Sequence, residues 1–243
     1  MPELSILIPC LNESSNLPSL IERLQKTVIE ADLDVETIIL DDASEDDTIV
    51  VAKVMQSQYR ALNIRVVHRF EPRRGYGALV RYGLAYATGR YCLLVAADGA
   101  HPIEMLPSYL AEARKGAQLV QCSRYEKEED SEGIPGKFKL YQSVYRAVVR
   151  ALLAWDIRDP TCSFKLVDRV YLMALGIRSN GLAAIPEIPF KVHLSGGKVS
   201  FIGGAQSFRQ RGISQFKFLR ESSGYGYVLI RAWLHRVGIL SWF

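Results

Sequence analysis

The sequence predicts an α/β fold, a mainly parallel sheet with helices on both faces. Three observations carry the prediction. Short apolar runs of strand length recur through the first half, each is followed by apolar residues at helical spacing, and the connections between them are short. Four such strand–helix repeats in a row require crossovers, which run right-handed and lay helices on both faces of a parallel sheet.

Taken in order, residues 4–9 (LSILIP) are an apolar run closed by proline, as expected of a buried parallel strand. Asn12, Glu13 and Ser14 turn the chain. Asn16-Leu-Pro18 then opens a helix to about residue 31, with Leu20, Ile21, Leu24 and Val28 on one stripe. Residues 35–40 form a second strand, ended by Asp41 and Asp42. Ser44-Glu-Asp-Asp47 fits a capping box for a helix over 48–59 that carries Val50, Val51, Val54 and Met55. A third strand covers 64–67. The basic, glycine-punctuated loop Arg73-Arg74-Gly75-Tyr76-Gly77-Ala78 leads into a helix to about 87. Residues 91–95 are a fourth strand, followed by small residues around one carboxylate, Asp98. A helix over about 103–115 and a fifth strand at 119–123 complete the repeats.

The second half is less regular. Residues 126–136 (EKEEDSEGIPG) are charged and end in Pro-Gly, which reads as a mobile surface loop and, in an enzyme, a candidate lid. Helical periodicity over 137–155 puts Val144, Val148, Leu152 and Trp155 on one core-facing stripe. A strand at 162–167, a short helix from Asp168, a strand at 198–202 and a helix over 216–236 follow. Residues 1–220 read as a single domain and 221–243 as an amphipathic, basic tail, with no internal repeat or low-complexity tract.

Composition bounds the function. Hydrophobic content of 49% and charged content of 23% suit a globular domain, and no apolar run approaches the roughly 20 residues that span a bilayer. The N-terminus lacks the basic region of a signal peptide. Cys10, Cys92, Cys122 and Cys162 have no zinc-type spacing and read as reduced core residues of a cytosolic protein. Residues 1–50 hold twelve Asp and Glu against two Lys and Arg, whereas residues 198–243 hold seven Lys and Arg against one Glu. The basic end calls for an anionic partner, a phosphate-bearing substrate or a membrane face. No nucleic-acid-binding pattern is present, and nucleic acid is not expected as a partner.

In a parallel sheet the loops after the strands emerge at one edge, where ligands bind. Here they carry Pro9, Asn12 and Glu13; Asp41 and Asp42; Arg73, Arg74, Gly75 and Gly77; and Asp98. Carboxylates suit ribose hydroxyls, a base edge or a divalent cation, while arginines and backbone N–H groups suit phosphates. That combination points to a nucleoside-diphosphate compound. The P-loop pattern is absent, and Gly75 and Gly77 lack the third glycine of G-x-G-x-x-G, which argues against a P-loop NTPase and a dinucleotide-dependent dehydrogenase. Taken singly, Asp41 and Asp42 could merely cap a helix and Gly75 and Gly77 merely turn the chain; four such loops together point to a site.

These residues carry a resemblance. Pro9-Cys-Leu-Asn12-Glu13, Asp41-Asp42-Ala-Ser44 with Asp47-Thr48, and Arg74-Gly75-Tyr-Gly77-Ala78 resemble the signature of family-2 glycosyltransferases with the GT-A fold, a Rossmann-like sheet. Ala97-Asp98-Gly-Ala-His101-Pro sits where their D-x-D motif falls. Asp159-Pro-Thr161-Cys-Ser163-Phe164-Lys165 and Arg209-Gln-Arg211-Gly212-Ile-Ser214-Gln-Phe-Lys217 are similar to segments of the dolichol-phosphate mannosyltransferase-like, polyprenyl-phosphate subgroup. The resemblance spans about residues 4–220. It implies inverting transfer of a hexose from a GDP- or UDP-linked donor to a polyprenyl or dolichyl phosphate. By the same resemblance Pro9, Asn12, Glu13 and Asp42 hold the base and ribose, Arg209, Arg211, Ser214 and Lys217 cradle donor or acceptor phosphates, and Asp41, Arg74, Gly75 and Gly77 are further candidates for binding the nucleotide. Asp98 binds Mg2+ or Mn2+, and Asp98, Glu187 and Arg209 are the catalytic candidates. The metal would act as a Lewis acid on the departing diphosphate. A phosphate acceptor is already ionised near neutral pH, so no strong general base is needed.

The sequence departs from that pattern at Ala96, where D-x-D has its first Asp, at Ala100, a position that assists the metal, at Cys162 for a glycine, and at Gln215 for a lysine. One carboxylate, diphosphate oxygens and waters still suffice for Mg2+. Glu187 reads equally as a residue facing the acceptor or as a surface helix cap, and His101 as a packing histidine. The tail, with Tyr225, Tyr227, Trp233, Trp242, Phe243, Arg231 and Arg236, suits a membrane surface, the core or a second copy of the chain. The expected setting is cytoplasmic, peripheral at the inner face of a membrane, with homo-oligomerisation open. The alternatives are a non-catalytic nucleotide-sugar-binding relative, a transferase with a soluble or glycan acceptor, and a nucleotidyltransferase.

Overall fold

The computed structural model describes residues 1–69, 75–131, 134–205 and 218–243. The first half alternates as expected: β1 (Leu4–Cys10), α1 (Leu17–Glu30), β2 (Val35–Asp41), α2 (Thr48–Gln58), β3 (Ile64–His68), α3 (Tyr76–Tyr86), β4 (Tyr91–Leu94), α4 (Leu106–Arg114) and β5 (Leu119–Ser123). The second half adds α5 (Gly136–Leu153), β6 (Lys165–Asp168), α6 (Arg169–Leu175), α7 (Ala184–Leu194), β7 (Val199–Gly203) and α8 (Phe218–Arg236). The strands form a seven-stranded sheet in the order β3-β2-β1-β4-β6-β5-β7. Every pair is parallel except those of β6, which runs antiparallel between β4 and β5. The loops after β1 to β5 therefore leave one edge, and the residues just before β6 arrive at that same edge.

Alternation along the strands divides the core. Ile6 and Ile8 of β1 and Leu93 of β4 face α1, α2 and α4, whereas Leu7 and Leu94 face α3, α6 and α7. A third apolar cluster lies beyond, where Tyr145, Val149 and Leu153 of α5 meet Phe190 of α7 and Tyr225, Val228, Leu229 and Ala232 of α8, with Trp242. The segment expected as a tail thus contributes its inner face to a core, and α8 is continuous with the rest of the packing.

Several local expectations are corrected. The core-facing stripe of α5 is Tyr145, Val149 and Leu153; Val144 and Val148 are exposed, and Trp155 stacks half-buried on His193. On α2 it is Ala52 and Met55 that are buried, while Val50 and Val54 are exposed. The capping box at Ser44–Asp47 does not form: Asp46 accepts the Thr48 N–H, and Ser44 Oγ accepts the Asn12 N–H. Within the segment expected as a surface loop, Glu126 pairs with Arg158 and a short 3-10 turn covers Glu129–Ser131. The strand expected from 162 begins at Lys165. Residues 184–194, for which the sequence offers no helical pattern, form α7 despite Pro186 and Pro189. That helix is buried almost all round, so tertiary packing overrides the weak local propensity. Residues 216–217, expected to begin the last helix, lie outside the described residues.

Candidate active site

Backbone–side-chain bonds zip the loops after β1 and β2 together. Asn12, in the left-handed conformation at φ 57° that Asn tolerates, accepts the Glu45 N–H at 2.8 Å. The Glu13 N–H reaches Thr48 Oγ1 at 2.8 Å, and the Asp42 N–H reaches the Cys10 carbonyl at 3.0 Å. Asn12 stays exposed, whereas Glu13 is buried with one carboxylate oxygen accepting Asn16 Nδ2. Pro9 is half-buried, opposite Leu40. Asp41 was expected among the nucleotide ligands, but its carboxylate is fully enclosed and accepts the Ser44 N–H at 3.1 Å while facing His68 Nδ1 at 2.7 Å. It organises the loop from inside. Asp42 accepts the Gly75 N–H at 2.9 Å and so ties the β2 loop to the start of α3.

Gly75 and Gly77 also differ from expectation. Their amides face protein: Gly75 N–H goes to Asp42, Gly77 N–H to the Gly181 carbonyl, and Ala78 N–H to the Asn180 carbonyl. The Gly77 and Ala78 amides are thus taken up by the 180–181 segment. The glycines are there because that segment lies against them: a Cβ on Gly75 would stand 2.5 Å from the Asn180 oxygen, and one on Gly77 2.2 Å from the Ser179 oxygen. Glu187 holds the same segment in place. It is fully buried rather than a surface cap, and accepts the Arg178 and Ser179 N–H groups at 2.7 and 2.8 Å, with Lys191 Nζ 3.5 Å away.

Asp98 follows β4 and is half-exposed. Its Oδ1 accepts the Ala100 N–H at 3.1 Å, and Oδ2 makes no hydrogen bond to another described residue. The loop that carries it is anchored at two points. His101 is buried, accepts the Ala96 N–H on Nδ1 at 3.1 Å, meets Ser163 Oγ through Nε2 at 3.0 Å, and lies on the Phe164 ring. Burial pushes its pKa down to about 4, so the ring is neutral at physiological pH. Arg23, from α1, donates to the Gly99 and His101 carbonyls at 2.7 and 3.0 Å and forks onto Glu104. Beside this loop, after β5, Arg124 forms a two-toothed pair with the buried Asp159 at 2.7 and 2.9 Å and donates to Thr161. Burial opposes both charges, but their attraction outweighs it, lifting the arginine further and lowering the carboxyl. Burial also lowers the enclosed Lys165 to about 8. Farther along, Arg146, Arg150 and Arg158 line a cavity of about 410 Å³ together with Glu126 and Asp156, which pair with Arg158 and Arg150.

The sequence reading missed Arg23, Arg124 and Ser163 as site residues. Arg124 had a signal, since it directly follows a strand at the ligand edge; Arg23 had none, because its partners lie 76 to 81 residues away. Arg74, Arg209, Arg211, Ser214 and Lys217 lie outside the described residues. Among the described residues no cluster of three His, Cys, Asp or Glu side chains is placed to hold a metal. The donor set nevertheless fits a hard cation that brings its own phosphate and water ligands, since such ions take only one or two protein carboxylates.

This edge of the sheet is where the chain can be compared with known proteins. Residues 5–176 match glycosyl transferase family 2. The chain belongs to that family. It is similar to a dolichyl-phosphate beta-glucosyltransferase of Drosophila melanogaster, 30% identical over 69% of this chain and 55% of that one. It is likewise similar to a dolichol-phosphate mannosyltransferase of Pyrococcus furiosus, 28% identical over 88% of this chain and 59% of that one. The chain thus spans little more than half the length of these curated relatives. Among solved structures, it shares its fold with glucosyl-3-phosphoglycerate synthase of Mycobacterium tuberculosis in complex with Mn2+, UDP-glucose and phosphoglyceric acid. There the TM-score is 0.70 at 21% identity, covering 99% of this chain and 81% of that one. The GT-A expectation for the fold is met.

Proposed function

We propose that this chain is an inverting glycosyltransferase that moves a hexose from a nucleoside-diphosphate sugar to a polyprenyl or dolichyl phosphate. The observation that carries the reading is Asp98, a half-exposed carboxylate just after β4, one of whose oxygens bonds no other described residue, in a family-2 domain whose relatives act on dolichyl phosphate. Asn12, Glu13, Asp42 and the Pro9 backbone would bound the nucleoside. Asp98 would hold Mg2+ or Mn2+, which when bound neutralises charge on the diphosphate. Arg74, Arg209, Arg211, Ser214 and Lys217 would hold phosphates. A phosphate oxygen of the acceptor attacks the anomeric carbon from the face opposite the departing diphosphate, so the configuration inverts. No described residue need remove a proton, and orientation with electrostatics supplies the rate. Glu187 acts here through the 178–181 segment, as a positioning residue.

The proposed setting is peripheral, at the cytoplasmic face of a membrane. No helix among the described residues is long and apolar enough to cross one. Support comes from the exposed apolar residues Leu140, Val144 and Val148 on α5 and Tyr227, Ile230 and Trp233 on α8, with Val237 just after it, flanked by Arg150, Arg231 and Arg236. Four free, buried cysteines suit a reducing compartment.

Calorimetric titration of UDP and GDP, each with and without Mn2+, tests the reading. Binding of one nucleotide that depends on Mn2+, and loses that dependence in Asp98→Ala, is expected. Equal binding without metal moves the charge-neutralising role to the arginines, and no binding of either nucleotide contradicts the proposal.

A further inference from the structure

We propose that Arg23 and the His101–Ser163 pair are positioning residues for Asp98, together fixing the loop 96–104 so that one carboxylate can hold the cation alone. The inference rests on the reading of Asp98 given above. Ala96, Ala97, Gly99 and Ala100 bring no polar side chain that could anchor the loop, and Gly99 adopts a left-handed φ of 74°. Such a segment is free to wander unless something outside it supplies the bonds.

Two partners do, from opposite sides. His101 is 1% exposed, and both ring nitrogens are engaged. Because the Ala96 N–H donates to Nδ1, the proton of the neutral ring is on Nε2, which donates to Ser163 Oγ. One imidazole thereby closes the loop on itself across residues 96–101 and joins it to the segment leading into β6. The antiparallel register that sets Lys165 opposite Leu94 brings Ser163 there. From the solvent side, the Arg23 fork spans the Gly99 carbonyl, the His101 carbonyl and both Glu104 oxygens. A lysine ammonium cannot reach all of these acceptors at once. Asp98 sits between the bonded points at 96, 99 and 101, so its backbone has little room to move.

A cation held by one protein carboxylate is sensitive to how that carboxylate is aimed, and loss of an orienting partner typically lowers metal affinity by about 10- to 100-fold. Arg23→Lys and Ser163→Ala each remove part of the anchoring without emptying the core. The measurement is the Mn2+ concentration that half-saturates binding of UDP or GDP, whichever the wild type takes, followed by calorimetry alongside thermal unfolding. The expected result is a rise in that concentration of roughly tenfold in each variant, with nucleotide affinity at saturating Mn2+ and the unfolding temperature held near wild type. A merely structural role would instead lower the unfolding temperature or the affinity at saturating Mn2+. An unchanged Mn2+ requirement in both variants, with Asp98→Ala still abolishing the dependence, overturns the inference and leaves the role of Asp98 standing. A wild type indifferent to Mn2+ overturns both.

Discussion

Gly77→Ala separates a glycine kept for packing from one kept for phosphate binding. The new Cβ would stand 2.2 Å from the Ser179 carbonyl oxygen and 2.6 Å from Ala184 Cβ. Ordinary non-bonded contact lies near 3.5 Å, so the α3 start and the 179–181 segment must part by roughly 1 Å. Forcing extra volume into a packed contact costs about 1–3 kcal/mol. The parting also stretches Gly77 N–H to Gly181 O and Ala78 N–H to Asn180 O, now 3.3 and 3.0 Å. Such bonds contribute about 0.5–1.5 kcal/mol each. Against this, alanine in place of glycine favours the helix by about 1 kcal/mol. The crowding wins, and the net loss expected is about 1–3 kcal/mol. Urea denaturation followed by circular dichroism measures it. Gly136→Ala at the start of α5, where a Cβ meets nothing within 4 Å, is the control and should be neutral or stabilising by up to about 1 kcal/mol. A Gly77→Ala protein as stable as wild type, or more so, would refute the packing argument.

Glu187→Gln should lower stability by about 1–3 kcal/mol, because the amide group would turn a donor toward the Arg178 or Ser179 N–H and remove the countercharge of buried Lys191. Nucleotide affinity should change little. Full stability with transfer lost would instead mean that Glu187 touches the substrate. Acid should also be destabilising. Burial desolvates Glu36, Asp46 and Asp159, Asp159 fully, but hydrogen bonds and, for Glu36 and Asp159, Arg65 and Arg124 outweigh that and lower their carboxyl pKa values. Their stabilisation is complete above the unfolded carboxyl range near pH 4 and disappears as pH falls through the lower folded values. The urea midpoint should therefore hold from about pH 7 to 5 and fall below about 4; a midpoint that rises on acidification contradicts the assignment.

Repeated apolar runs and short loops made the parallel half of the sheet legible, because each strand and its helix are specified by contiguous residues. The insertion of β6 between β4 and β5 was not, since strand order depends on partners far along the chain. Helix faces failed where apolar residues occupy two sides. α5 carries Val144 and Val148 as well as Tyr145 and Val149, and periodicity reports that a helix exists without saying which stripe finds a partner. At the site, the loops do share one edge of the sheet, yet which of their groups face outward was not legible. Asp41, Gly75 and Gly77 turned out to face protein because Ser44, His68 and residues 179–181 supply their partners. Of the anchors of Asp98, Ser163 stood out only as part of a family-like segment, His101 only as a packing residue, and Arg23 not at all, because they meet at this loop only in three dimensions.

The most direct measurement is transfer itself: radiolabelled hexose from UDP-glucose or GDP-mannose to dolichyl phosphate in detergent or vesicles, with Mn2+ supplied and the lipid product resolved by chromatography. The account predicts a β-linked lipid-phosphate sugar from an α-linked UDP-glucose or GDP-mannose donor, lost in Asp98→Ala. Transfer that retains the anomeric configuration, or nucleotide binding with no transfer to any polyprenyl phosphate, would contradict it.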